Sequence, residues 1–112
     1  MLSNFIDRAA YELRPGEVVY AGDTYESIVW ATDDIPTKEQ VFDKASECEF
    51  NYRFLVIRSE RNALLAASDW TQVADAPVNA ALWAEYRQSL RDFPATIKDP
   101  LGDIVWPVPP AQ

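Results

Sequence analysis

Asp33 and Asp34 stand side by side, and Glu47 and Glu49 flank the only cysteine, Cys48. Carboxylates and thiols supply acid–base, metal-binding and nucleophilic chemistry, provided they converge in a cleft. Neither group has the spacing for it. The aspartates precede Ile35-Pro36, which reads as an exposed turn leading into a helix N-terminus. Glu47 and Glu49 face different sides of a helix, and Cys48 lies on its apolar stripe with no basic neighbour to lower its pKa, so it reads as a small buried hydrophobe. The 112 residues contain no histidine. That removes Ser-His-Asp and Cys-His sites and every His-ligated metal centre. One cysteine allows neither an internal disulfide nor a cysteine zinc site. Three isolated glycines, Gly16, Gly22 and Gly102, make no phosphate loop. No calcium-loop spacing occurs. A carboxylate hydrolase needs two acids about 5–10 Å apart in a cleft, and nothing here places such a pair. The sequence points away from an enzyme and calls for no cofactor and no metal.

The groups that remain are aromatic: four Trp, five Tyr and five Phe. The formal charge is −8, divided as −5 over residues 1–36, zero over 37–68 and −3 over 69–112. Both ends repel polyanions, which argues against nucleic acid and anionic membrane surfaces. The interleaving of basic and aromatic residues that single-stranded nucleic acid requires is absent. The charge serves solubility, or matches a basic patch on a partner. The start shows no basic leader and no apolar run long enough for export or a membrane span, so a cytoplasmic protein is expected.

Periodicity and punctuation predict an α+β fold in a single domain of residues 1–112. Residues 3–13 read as a short amphipathic helix, with Ser3 as N-cap and Phe5, Ile6, Ala9, Ala10 and Leu13 at helical spacing; Arg14-Pro15-Gly16 stops it. Residues 17–32 read as a β-hairpin around a two-residue type II′ turn at Gly22-Asp23. That register sets Tyr20 opposite Tyr25 and puts Val19, Ile28 and Trp30 on the other face. Both faces then carry apolar groups and must be covered, because a lone hairpin is marginal in water. Residues 1–36 thus form a helix-plus-hairpin subregion.

A helical hairpin and a tail occupy residues 37–112. Thr37 and Gln40 have capping-box spacing at the head of a long helix, about 38–67. Val41, Ala45, Cys48, Tyr52 and Leu55 form its stripe, widened by Phe42 and Val56. At roughly 45 Å the helix is longer than a domain of this size comfortably buries. Arg58 and Arg61 read as solvated charges, or as partners for Asp69 or Asp75. A second helix at about 79–92 carries Leu82, Trp83, Tyr86 and Leu90 on one face. Arg87 and Arg91 fall in its last turns, Arg87 within cation–π reach of Trp83, and Pro94 ends it. The Pro-rich tail is extended, with Ile104–Trp106 able to pair briefly at a sheet edge. Trp30, Phe42, Tyr52, Leu55, Leu65, Trp70, Trp83, Tyr86 and Leu90 are expected in or beside the core.

From Arg61 onward the residues follow a specific order. They read Arg61-Asn62, Leu64-Leu65, Ser68-Asp69-Trp70-Thr71-Gln72, then Asp75 before Pro77. Trp83, Tyr86-Arg87-Gln88, Leu90-Arg91-Asp92 and Pro94 follow, and Trp106-Pro107 closes the series. This last half of the chain resembles the phage tail assembly chaperone-like domain, a family also met as tail fibre assembly or minor tail proteins. Residues 1–45 are similar, less specifically, to the N-terminal part of other small phage tail proteins.

The resemblance implies a bacteriophage protein without catalytic residues. It would bind another phage tail, baseplate or fibre protein, either as an assembly chaperone or adaptor in the host cytoplasm or as a permanent part of the virion tail. It implies neither a nucleic-acid nor a membrane partner, and a homo-oligomer is compatible with it. The residues assigned to partner binding are Trp70, Trp83, Tyr86, Arg87, Arg91 and Trp106; the aromatics among them serve as core or as contact surface.

Overall fold

A computed structural model describes residues 5–111, so the Ser3 cap lies outside the described residues. The fold is α+β and mostly helical. Its order is helix α1 (Ile6–Leu13), strand β1 (Val18–Tyr20), strand β2 (Val29–Trp30), helix α2 (Lys38–Ser68) and helix α3 (Ala80–Thr96), with short 3-10 turns at Tyr25–Ser27 and Asp69–Gln72. The chain divides into two compact units, residues 1–52 and 53–112.

In the first unit, α1 buries Ile6, Ala9 and Ala10, and Gly16 takes the left-handed φ of +75° that turns the chain into β1. The first half of α2 adds Val41 and Ala45. Val18, Trp30, Tyr25 and Phe42 pack around this centre. The capping box forms as its spacing requires: Gln40 N–H donates to Thr37 Oγ1 (3.1 Å) and Thr37 N–H donates to Gln40 Oε1 (2.8 Å).

The hairpin departs from its expected register. Val18 pairs with Trp30 and Tyr20 with Val29, leaving Val19 as the extra residue of a bulge. The bulge turns Tyr20 outward beside Val29, so Val19 does not share a buried face with Ile28 and Trp30. Tyr25 does not face Tyr20. It sits in the 3-10 turn and donates its phenol proton to the Pro36 carbonyl (2.6 Å). The type II′ turn is absent as well, because Gly22 does not adopt a positive φ. A polar knot replaces it. Ser27 Oγ donates to the Thr24 carbonyl (2.6 Å) and accepts from Gly22 N–H (3.0 Å), while Ser27 N–H reaches Thr24 Oγ1 (3.2 Å). Side-chain hydroxyls of this kind compete with ladder bonds for the backbone.

Helix α2 runs unbroken through all 31 residues. Its buried positions change stripe. Val41, Ala45 and Cys48 are buried in the first half, and Ile57 and Ser68 in the second. This explains why Tyr52 and Leu55 fail as core residues: they continue the first stripe after burial has left it, and Leu55 is 61% exposed. Tyr52 instead rests on Phe5, ring centroids 5.7 Å apart.

Helix α3 begins at an Asn79 cap, whose Oδ1 accepts from Leu82 N–H (3.2 Å). It continues through Pro94 to Thr96. So near the end of a helix, proline removes a single intrahelical bond, from the Leu90 carbonyl, and its ring is buried. Arg87 and Arg91 are therefore not in the last turn. Trp83, Tyr86 and Leu90 are buried, whereas Leu82 is exposed.

Gly22 is required for space rather than for φ, since a Cβ there would meet Ser27 Oγ at 2.9 Å. Gly22→Ala is expected to cost about 1–3 kcal/mol by chemical denaturation, and Ser27→Ala in the same chain should recover part of it. Full additivity of the two changes would contradict the contact.

Candidate functional site

The expected chemistry-bearing groups are engaged in structure. Cys48 is buried, and its thiol donates to Glu12 Oε2 (3.3 Å). Burial, with the carboxylate beside it, pushes the thiol pKa up to about 11, so it stays protonated and unreactive near neutral pH. Glu12 also accepts from Arg8 (2.9 Å) and faces Lys44 (3.8 Å), and these contacts hold its carboxyl below the usual range, the Arg8 hydrogen bond first. Glu47 pairs with Lys44 (3.3 Å). Asp34 pairs with Arg14 (3.4 Å) in an exposed loop. Among the described residues no group of three or more His, Cys, Asp or Glu side chains is placed to hold a metal ion.

What residues 53–112 build instead is a clasp at the end of α2. A helix leaves its last four carbonyls without partners, and α2 has no basic residue in its own last turn. Arg87 of α3 fills that role. Its Nη1 donates to the Leu65 carbonyl (2.6 Å) and to Ser68 Oγ (2.7 Å), and its Nη2 donates to Asp69 Oδ1 (2.6 Å). A guanidinium suits this place, because its fork of donors meets several oxygens at once and its charge complements the helix C-terminus. Ser68 Oγ donates to the Leu64 carbonyl (2.9 Å), and Thr71 Oγ1 closes the Ser68 carbonyl (2.6 Å). Gln72 Nε2 reaches the Ala80 carbonyl (3.2 Å) and so ties the turn to the start of α3. Ser68 and Thr71 are buried polar residues that periodicity alone does not single out; their signal is the run of side-chain hydrogen-bonding types from 68 to 72.

Arg87 therefore spends its guanidinium on the end of α2 rather than on the Trp83 ring. Arg58 and Arg61 do not reach Asp69 or Asp75. Arg58 lies over the Phe54 ring (5.5 Å), and Arg61 donates to Asn62 Oδ1 (3.1 Å) and to the Arg91 carbonyl (3.4 Å).

Below the clasp the aromatics stack in order. Trp83 meets Tyr86 edge-on at 5.6 Å and Trp70 at 6.3 Å, and Phe93 meets Trp106 at 4.6 Å. Trp83 and Tyr86 are interior, Trp106 is half-buried, and Trp70 and Arg91 are exposed. The tail carries Trp106 into place without joining a sheet; the sheet has only β1 and β2 among the described residues. Ile104, Trp106, Pro107 and Pro110 are half-buried, while Val105 and Val108 are 82% and 84% exposed. Pro107, Pro109 and Pro110 deny the tail the ladder bonds of a strand. Alongside it runs an apolar groove of about 510 Å³, lined by Ala63, Leu64, Tyr86, Trp106 and Pro109 with Glu60 at its margin.

The Trp83 indole N–H is buried with no acceptor among the described residues. Trp83→Ala should lose about 3–5 kcal/mol of stability. Trp83→Phe, which also removes the unsatisfied donor, should lose only about 1–2 kcal/mol. Equal losses in denaturant titrations would contradict this reading.

No curated protein and no solved structure matches the chain. The family model of the phage tail assembly chaperone protein matches residues 55–111. That span takes in the second half of α2, the clasp, α3, the groove and the tail. The chain belongs to the phage tail assembly chaperone family.

Proposed function

We propose that this chain binds another phage tail, baseplate or fibre protein in the host cytoplasm during tail assembly, as a non-catalytic chaperone or adaptor. The observation that carries the reading is the apolar groove beside the Pro-rich tail, inside the span that the family model matches. Two of its lining residues, Tyr86 and Trp106, pack with Trp83 and Leu90 of the helix that the Arg87 clasp ties to the end of α2. Its lining offers exposed apolar area at Leu64. Grooves that present apolar side chains from a preorganised frame gain affinity by avoiding the cost of ordering. Of the residues assigned to binding, Trp70, Arg91 and Trp106 have surface to offer, while Trp83, Tyr86 and Arg87 support them from within.

Among the described residues no helix is long and apolar enough to cross a membrane.

Leu64→Glu should weaken binding to the cognate tail protein at least about tenfold, equivalent to about 1.4 kcal/mol, with the thermal midpoint unchanged. Unchanged affinity would remove the groove from the interface. Mass spectrometry of purified virions should find the chain absent. Stoichiometric presence would establish a permanent tail component instead.

A further inference from the structure

Residues 1–52 lie wholly outside the family span and have an open surface of their own. The inner face of the two-stranded sheet is packed, through Val18 and Trp30, against α1 and the start of α2. Its outer face is bare: Val19 is 66%, Tyr20 59% and Val29 50% exposed. A sheet with two apolar faces reaches a stable layering when a second layer covers the open one. The charge of this unit is lopsided. It holds eleven acids and four bases, a net −7 of the chain's −8. All four bases are already paired, Arg8 with Glu12, Arg14 with Asp34, Lys38 with Glu26 and Lys44 with Glu47. Glu17 and Asp23, at the two ends of β1, enter no ion pair among the described residues. The unit that carries the bare face is therefore strongly acidic, with its bases already paired.

We propose that Val19, Tyr20 and Val29 form a docking face for an amphipathic helix of another protein, one whose apolar stripe is bordered by Lys or Arg. A three-residue strand spans about 10 Å, the length of two helical turns at 5.4 Å each. Apolar contact supplies the affinity, and the basic border answers the exposed Glu17 beside β1 and the unit's net charge of −7. Two units of −7 repel, which argues against a second copy of this chain as the occupant. The bulge at Val19 keeps β1 from serving as a flat edge for strand addition, which favours a helix laid on the face. The proposal rests on the proposed function only in taking the partner to be a protein.

The test uses the full chain and a labelled synthetic helix with one leucine face and one lysine face, read by fluorescence anisotropy. Saturable binding that weakens with salt is expected, with no binding of the matching leucine–glutamate helix. The triple variant V19S/Y20S/V29S should bind at least tenfold more weakly at an unchanged thermal midpoint. If that variant unfolds, Val29→Ser alone should weaken binding about threefold. Leu64→Glu, in the other unit, should bind the helix as the parent does, which separates failure here from failure of the groove. Binding that survives the serine changes is electrostatic only and overturns the proposal. So does sedimentation that shows the parent dimeric and the triple variant monomeric.

Discussion

The helical half of this protein depends on how α2 ends. A helix of 31 residues that stops inside a packed unit must find partners for its last carbonyls, and its own sequence brings no cation there. Arg87 supplies one from α3, 19 positions beyond Ser68 in the chain. One side chain thus does two things. It satisfies the end of one helix and fixes the approach of the next. With α3 held there, Trp83, Tyr86 and Leu90 meet Leu65 and Val78, and the tail can lay Trp106 against them. The groove that carries the proposed function is the outer edge of that arrangement.

The residues of the clasp fall within the series that resembles the phage tail assembly chaperone family: Leu65, Ser68, Asp69, Thr71, Gln72 and Arg87. Their roles account for the series in physical terms. Ser68 and Thr71 cap carbonyls, Asp69 balances the guanidinium, and Gln72 links the turn to α3. None of these interactions needs a substrate, and the family's assembly role matches a module whose polar residues are occupied in holding an apolar surface.

How much could be read from the chain beforehand follows from how local each feature is. The capping box at Thr37 and Gln40 and the buried stripe Val41, Ala45, Cys48 depend on spacing within one helix and are legible, whereas the Glu12 carboxylate that meets the thiol comes from α1 and is not. The hairpin was legible as two paired strands, but not in its register. A bulge and a knot of Thr24, Ser27 and Gly22 hydrogen bonds decide that, and they compete with the turn that Gly-Asp suggests. The stripe of α2 misled beyond Cys48, because periodicity cannot show where a helix changes the face it buries. The family resemblance named Arg87, and only the structure shows its guanidinium turned onto the end of α2. The tail's hydrophobic alternation imitates a strand, but its prolines keep it out of the sheet among the described residues.

The most direct test of the clasp is the unfolding free energy of Arg87→Met, which keeps the aliphatic stem and removes the guanidinium. The Leu65 carbonyl and Ser68 Oγ, both part-buried, would each lose one charge-assisted hydrogen bond, at about 1–2 kcal/mol for each. A loss of about 2–4 kcal/mol is expected, together with loosening of Trp83 seen in its fluorescence. A loss under about 0.5 kcal/mol with Trp83 unmoved would contradict the dependence of α3 and the groove on the end of α2.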